Sequence, residues 1–405
     1  MNHSIDSITI SDIPDPDELK AIKTTNNDTR VESIEFTASG SEFFKVWIVN
    51  VLLTIVTLGI YSAWAKVRNT QYFYANTRLA GSSFEYLANP KAILLGRIIA
   101  ALFFASLFFI NKQIQINPTP NWLIAYICVL SIAFILFPWL ITKSFSFRAR
   151  NTAYRGVRFY FQKNYFKAYQ VFFLAPLALF AFTILVTTIA QKTQDGKALF
   201  VVLLIMFILA IPPIIKAVQN FKMNYLHYGK SRFYYQSTTG KYYLAMVLAA
   251  VVAITMGFLI SYAIKQYMSI PGNFDPNTMR VKNEAFLQAA VYFISLIGYL
   301  LVIALFQAAI INSVWNNTEL STMRFQTRIS TFKLYWIMIS NIVLSILTLG
   351  IFIPWAKVRA IRYRLDNTHA LVQDDLNQFV ASEEQAQESA IGEGAADVFD
   401  FDISL

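Results

Sequence analysis

The chain has 405 residues, 56% of them hydrophobic and only 14% charged, with 35 phenylalanines and one cysteine. A soluble domain carries about 25% charged residues, so disordered, fibrous and disulfide-stapled classes are excluded, and several apolar stretches reach the roughly 20 residues a bilayer-crossing helix needs. The formal charge of +10 is unevenly shared: residues 1–42 carry −6, the stretch from Leu365 carries −10, and residues 43–364 carry +26.

Taken in chain order, residues 1–42 read as an acidic arm with neither a basic n-region nor an apolar h-region, so no cleavable signal peptide is expected. Apolar runs follow near 43–62, 92–111, 121–141, 169–190, 198–215, 243–264, 286–313 and 334–353, each read as a helix. Together they make 43–364 one multi-pass transmembrane domain. Residues 365–405 form a second acidic arm, and both arms are expected either to be mobile or to dock on the basic body through salt-sensitive contacts. Connections 63–91, 143–168, 216–242 and 314–333, with residues 354–364, hold 23 Lys and Arg against two acids, Glu85 and Glu319. Connections 112–120, 191–197 and 265–285 hold six bases against three acids. Basic loops stay in the cytoplasm, which puts the first group, and the C-terminus, on that side. Cys128 lies inside an apolar run, which leaves no disulfide and no thiolate zinc site.

Internal repetition is the strongest signal. Thr57-Leu58-Gly59-Ile60, Trp64-Ala65-Lys66-Val67-Arg68, Tyr72 and Asn76-Thr77 recur as Thr348-Leu349-Gly350-Ile351, Trp355-Ala356-Lys357-Val358-Arg359, Tyr363 and Asn367-Thr368. Fainter copies run from Trp139 through Lys143 to Asn151-Thr152, and from Pro212 through Lys216 to Asn224. Four units of one module are expected, with motif copies near 57–81, 139–156, 212–229 and 348–368. A second cassette pairs Phe36 with Lys45, Phe84 with Lys91, Phe159 with Lys167, Phe233 with Lys241 and Phe325 with Lys333. Alternating stretches such as Arg158-Phe159-Tyr160-Phe161 and Arg232-Phe233-Tyr234-Tyr235 allow short interfacial β-hairpins. The fold expected is therefore an all-α, polytopic membrane bundle of four related units, with such hairpins as a minor feature.

Eight alternating crossings would put the Trp64 and Trp355 modules on opposite faces. Near-identical basic modules should share a side. The conflict disappears if 43–62 and 334–353 dip in from the cytoplasm and turn back near Gly59 and Gly350, leaving six full crossings. The alternative keeps 43–62 as a crossing and folds 286–313 into a hairpin.

The doubled Thr-Leu-Gly-Ile phrase, the Trp that follows it and the trailing Tyr, Asn-Thr and Gly resemble the YjgN-like family of bacterial inner-membrane proteins over roughly residues 31–375. That resemblance implies a multi-pass cytoplasmic-membrane location in a bacterium. The family is one of unknown function, so no catalytic residue is carried over. The central copies lack the Thr-Leu-Gly phrase, Pro212 replaces Trp, and Val372 stands in the last copy where others have Gly.

On a helix the motif's Trp, base and aromatic residues fall at i, i+4 and i+8, one stripe. Trp64, Arg68, Tyr72, Trp139, Lys143, Lys216, Trp355, Arg359 and Tyr363 are thus candidate lipid-headgroup residues, with ordinary aromatic-belt and positive-inside anchoring as the blander reading. Phe147 continues the second stripe. Residues 143–168, seven bases interleaved with aromatics, also have the composition of a nucleic-acid groove, but beside two spans a membrane surface is the more economical partner and nucleic acid is not expected. Acids are absent from every predicted span, whereas cation-coupled carriers place one near the midplane. Arg97 lies about 9 Å beyond Lys91 at the helical rise, within snorkelling reach. Asn50, Arg97, Gln307 and Asn341 are the intramembrane polar candidates. His3, His227 and His369 have no matched carboxylate, and no Walker, dinucleotide, zinc or Ser-His-Asp signature appears. The expectation is a non-catalytic membrane protein, without cofactor or metal, that engages anionic lipid or a protein partner at a basic cytoplasmic face. A channel or transporter for a neutral or anionic small solute is the second reading.

Overall fold

The computed structural model describes residues 30–193, 196–270, 273–275, 280–281, 283–373 and 375–393. Residues 1–29, with His3, and 394–405 lie outside the described residues, as do parts of the 191–197 and 265–285 connections. Five units follow one another, each a strand, two helices and a strand. The first is β1 (Arg30–Phe36), α1 (Gly40–Val56), α2 (Ser62–Ala75) and β2 (Thr77–Leu79), and the second β3 (Ser82–Tyr86), α3 (Pro90–Ile116), α4 (Pro120–Arg150) and β4 (Thr152–Tyr154). The third is β5 (Val157–Phe161), α5 (Tyr165–Tyr169, a π turn at Gln170–Leu174, then Ala175–Thr193), α6 (Gly196–Asn224) and β6 (Leu226–Tyr228). The fourth is β7 (Ser231–Tyr235), α7 (Gly240–Ser269), the small pair β8 (Phe274–Asp275) and β9 (Arg280–Val281), α8 (Glu284–Trp315) and β10 (Thr318–Leu320). The fifth is β11 (Met323–Thr327), α9 (Thr331–Leu347), α10 (Ile353–Asp366) and β12 (Thr368–Val372), and α11 (Leu376–Glu393) ends the described chain.

Ten of the strands close into one antiparallel barrel in the order β1, β2, β3, β4, β5, β6, β7, β10, β11, β12, with β12 paired back on β1. An isolated two-stranded hairpin is marginal in water. Closure removes every edge and gives all the short strands a shared interior. The period-2 alternation points one set of side chains inward: Leu79, Tyr154, Val157, Tyr228, Phe233, Leu320, Met323, Ala370 and Val372 form one buried cluster. Two phenols zip adjacent hairpins, Tyr154 donating to the Leu79 carbonyl at 2.7 Å and Tyr228 to the Tyr154 carbonyl at 3.0 Å. Burial raises both phenols above their ordinary pKa, so they remain donors at neutral pH.

The register fixes where the helices attach. Phe36 faces Thr77, Tyr86 faces Thr152, Phe161 faces Leu226, Tyr235 faces Thr318 and Thr327 faces Thr368, and each of these pairs joins its strands to a helix pair. All ten helices therefore leave one rim, and the hairpin turns lie at the other. Consecutive helices pack in chain order and α10 packs on α1, closing a ring. Six of them, α3 to α8, are long and apolar enough to cross a membrane. α1 and α9 have 17 residues each, roughly 25 Å at 1.5 Å per residue, short of the roughly 30 Å hydrocarbon core. Each ends in a left-handed pair, Leu58-Gly59 or Leu349-Gly350, with φ near 50° and then 90°. The glycine N–H bonds back to Thr54 or Ser345 at 2.7 Å, and the chain returns to the rim as α2 or α10.

The expectation of an all-α bundle of four units is overturned twice. The alternating stretches do form β-hairpins, with β4 and β6, but these are joined into a closed barrel and are no minor feature; at three to seven residues each the strands are too short for periodicity alone to reveal a barrel. There are also five units, because β7 to β10 form one that keeps the motif's Asn-Thr pair, as Asn317-Thr318, but has lost its Trp, base, Tyr and Gly. Aligned on its strand start at Thr318, Leu305 stands for Trp, Ala309 for the base, Ser313 for Tyr and Thr322 for Gly. The third copy is shifted by one residue: β6 starts at Leu226, so Tyr225 takes the Asn place and Gly229 opens its turn instead of closing it. The five Phe and Lys pairs of the second cassette match the five units. Residues 286–313 lie in one continuous helix, α8, which removes the alternative that folds them into a hairpin.

The acidic stretch from Leu365 supplies β12 and α11. Leu376, Phe379 and Val380 of α11 join the barrel's buried cluster. Glu383 is buried at the mouth opposite the helices, where it accepts from the Lys230 N–H at 2.6 Å, the Ser231 N–H at 3.3 Å and the Ser231 hydroxyl at 2.5 Å. Arg155 donates to the Asn377 side chain at 2.7 Å and to the Ala80 carbonyl at 3.0 Å, tying α11 to two turns.

Candidate functional site

Four of the five returning helices meet the rim through a shared stop. In four units an Asn amide donates to the carbonyl four residues back: Asn76 to Tyr72, Asn151 to Phe147, Asn317 to Ser313 and Asn367 to Tyr363, at 2.6–2.7 Å. The next residue does the same with its hydroxyl: Thr77 to Phe73, Thr152 to Arg148, Thr318 to Val314 and Thr368 to Arg364. These bonds satisfy the helix's orphan carbonyls and turn the chain into its strand.

Inside the ring of helix ends lies a cavity of about 570 Å³. Ile34, Phe84, Phe159, Phe161 and Leu226 of the barrel form its wall, and Phe145, Trp315 and Ile311 come from the helices. Three cations, Arg148, Lys222 and Arg364, are among its lining residues, and no acid is. They occupy the last turns of α4, α6 and α10, where the negative end of the helix dipole favours positive charge. The Lys222 ammonium lies 5.9 Å over the Phe145 ring and Arg364 donates to the Gln307 side-chain oxygen at 2.8 Å. The arrangement can hold an anion against an apolar interior.

The predicted stripe residues are scattered by comparison. Tyr72 and Tyr363 act within their own units: each phenol donates to the carbonyl, and accepts from the N–H, of the residue that starts the outgoing helix, Ser39 or Ser330. Arg68 lies exposed over the Tyr61 ring at 6.0 Å, which stacks on Trp64 at 6.2 Å. Lys143 is buried, 5.8 Å over Trp139. Lys216 is half-buried on α6. Trp355 stacks on Phe44 of α1 at 5.1 Å and fills the space a Cβ at Gly40 would need. With Arg359 and Tyr363 it lines a second cavity of about 450 Å³ at the seam of the fifth and first units, and there Arg359 is engaged by Ser340 at 2.8 Å.

The intramembrane polar residues pair between helices. Asn50 donates to Asn69 at 3.0 Å, Asn341 to the Ala356 carbonyl at 3.0 Å, and Arg97 to the Ser62 hydroxyl, which joins the second unit to the first. Gln307 holds Arg364. None of the four lines the central cavity. Among the described residues no group of three or more His, Cys, Asp or Glu could hold a metal ion. Reading the motif at i, i+4 and i+8 missed the rim cations, yet a signal existed: Arg148 and Arg364 each stand nine residues after their Trp.

Six membrane-length helices rooted on one barrel define a multi-pass membrane protein. The family described as "Bacterial protein of unknown function (DUF898)" matches residues 31–398, and the chain belongs to it. It is similar to the inner membrane protein YjgN of Salmonella typhimurium, 25% identical with 87% of this chain and 91% of the relative covered, and to YjgN of Escherichia coli strain K12, 25% identical over 88% and 93%. No solved structure matches.

Proposed function

We propose that this protein is non-catalytic and binds an anionic amphiphile where the membrane helices meet the barrel, with the barrel and both ends of the chain in the cytoplasm. The observation that carries the reading is the acid-free apolar cavity with Arg148, Lys222 and Arg364 among its lining residues. Base-rich connections cluster at the barrel side, as orientation by positive charge requires. The short helix pairs support dipping into the bilayer from that side, since their tips carry Leu58 and Leu349 at 94% exposure, a costly arrangement unless lipid covers them. The channel or transporter reading has less behind it: Asn341 and Gln307 hydrogen-bond between elements, Asn50 donates to Asn69, and none of the three lines the central cavity.

Each cation near the surface contributes about 1 kcal/mol toward anionic lipid. Replacing Arg148 and Arg364 together by Gln is thus expected to lower retention of phosphatidylglycerol about 30-fold, read by native mass spectrometry against phosphatidylcholine. Equal retention by the variant and the parent would end the head-group reading. Cysteines placed at positions 66 and 357 should both label from the cytoplasmic side only, and labelling of either from outside would overturn the orientation.

A further inference from the structure

The cavity extends below its cations into the barrel, and what lies there is not polar. Thr77, Thr152 and Thr368 line it, but each hydroxyl is already donated to a helix carbonyl, those of Phe73, Arg148 and Arg364. The remaining strand wall is Ile34, Phe84, Phe159, Phe161 and Leu226. Beyond this wall the barrel is filled by its own buried cluster, Tyr154, Tyr228 and Phe233 among it, onto which Leu376, Phe379 and Val380 of α11 pack. Below the cations such a wall offers water few partners, and left empty it forfeits contacts. Its volume of about 570 Å³ is within the 300–1,000 Å³ typical for one small organic ligand, so it suits one chain and not two.

We infer that the barrel interior receives the apolar chain of a single-chain anionic amphiphile, of the fatty-acid or lysophospholipid class, whose head rests on Arg148, Lys222 and Arg364. The inference rests on the head-group reading above and adds the direction of the tail. In a bilayer leaflet the tail points from the interface into the membrane; here it points away, so the bound molecule has left the leaflet. The barrel then serves as a receptor for monomeric amphiphile, with its buried cluster as the floor.

The test uses the full chain in nanodiscs and a long-chain fatty acid carrying a diazirine at its methyl end. Irradiation is expected to label peptides of β3, β5 and β6, and Leu226→Trp, which fills the cavity, should lower that labelling at least tenfold at an unchanged melting temperature. The map on the parent protein needs no variant and stands if Leu226→Trp fails to fold. Unlabelled fatty acid and lysophosphatidylglycerol are then run as competitors beside two-chain phosphatidylglycerol. The better single-chain competitor identifies the source, and competition by the two-chain lipid as strong as by either would refute the inference. Labelling confined to α3–α8, with phosphatidylglycerol retention still dependent on Arg148 and Arg364, would overturn the tail's direction and leave the head-group reading standing. Barrel labelling with charge-independent retention would remove the head-group reading instead.

Discussion

Glu383 gives the sharpest prediction about the barrel's closed end. Its carboxylate takes two short bonds from the turn, the Lys230 N–H and the Ser231 hydroxyl, and a longer one from the Ser231 N–H. Hydrogen bonds to a charged group contribute about 1.5–3 kcal/mol each, but with Ala at this position water can reach the freed donors at the mouth. The net cost to docking of α11 should thus be about 2–3 kcal/mol, a 30- to 150-fold rise in the population of the opened helix. The apolar contacts of Leu376, Phe379 and Val380 remain, so the barrel itself should keep its stability. Native-state hydrogen exchange resolves the two: Glu383→Ala should speed exchange across residues 376–393 by that factor while β4 to β6, and β7 beyond Ser231, exchange as before. Glu383→Gln, whose amide keeps one acceptor oxygen, should fall between. Unchanged protection of 376–393 in Glu383→Ala would refute the claim that this carboxylate latches the helix.

Other consequences are as direct. Gly40→Ala places a methyl where Trp355 stacks; overpacking of this kind costs about 1–3 kcal/mol, so the melting temperature should drop, and an unchanged value would mean that the first and fifth units are not in contact there. Tyr72→Phe and Tyr363→Phe each remove a phenol that both donates to and accepts from a helix-start backbone. Each should cost about 0.5–1.5 kcal/mol per bond lost, additively in the double variant, as denaturant titration can check. Burial pulls the His227 and His369 imidazoles below their usual pKa of 6.5, with Arg232 beside His227 adding to the effect. A histidine with a lowered folded pKa binds its proton more readily when unfolded, so stability is full above about pH 6.5 and is lost as pH falls below it. Melting at pH 7.5 and 5.5 should show that loss, reduced in the His227→Gln, His369→Gln double variant; an equal loss in the variant would assign it to other groups.

The membrane part was legible because its signals are local. Twenty apolar residues, a Thr-Leu-Gly phrase that can only end a helix and a stretch of bases each declare themselves within a short window. The barrel was not legible for the opposite reason. Its strands are three to seven residues long, and Phe159 meets Phe233, and Phe233 meets Phe325, only after pairs of helices have intervened. The phenylalanines of the second cassette already marked five units, but Trp64, Arg68 and Gly81 are more conspicuous than Phe36, and counting their copies gave four. The candidate site suffered similarly. The stripe that begins at Trp64 or Trp355 draws attention to helix-packing residues, whereas Arg148, Lys222 and Arg364 converge only once five separate helix ends are brought to one rim.

The seam of the barrel lies between its first and last strands, with Arg30 opposite Val372. During synthesis every helix pair can enter the bilayer as it emerges, but β1 and β11 keep unpaired borders until β12 has left the ribosome. Loop closure over so long a span adds little entropy, because the cost rises only with the logarithm of length; the hazard is the waiting time, when bare strand borders invite neighbouring nascent chains. Any frameshift or stop upstream of Thr368 would leave an inserted membrane portion bearing an unsealed sheet, a lesion that quality-control proteases could recognise without sensing the membrane at all.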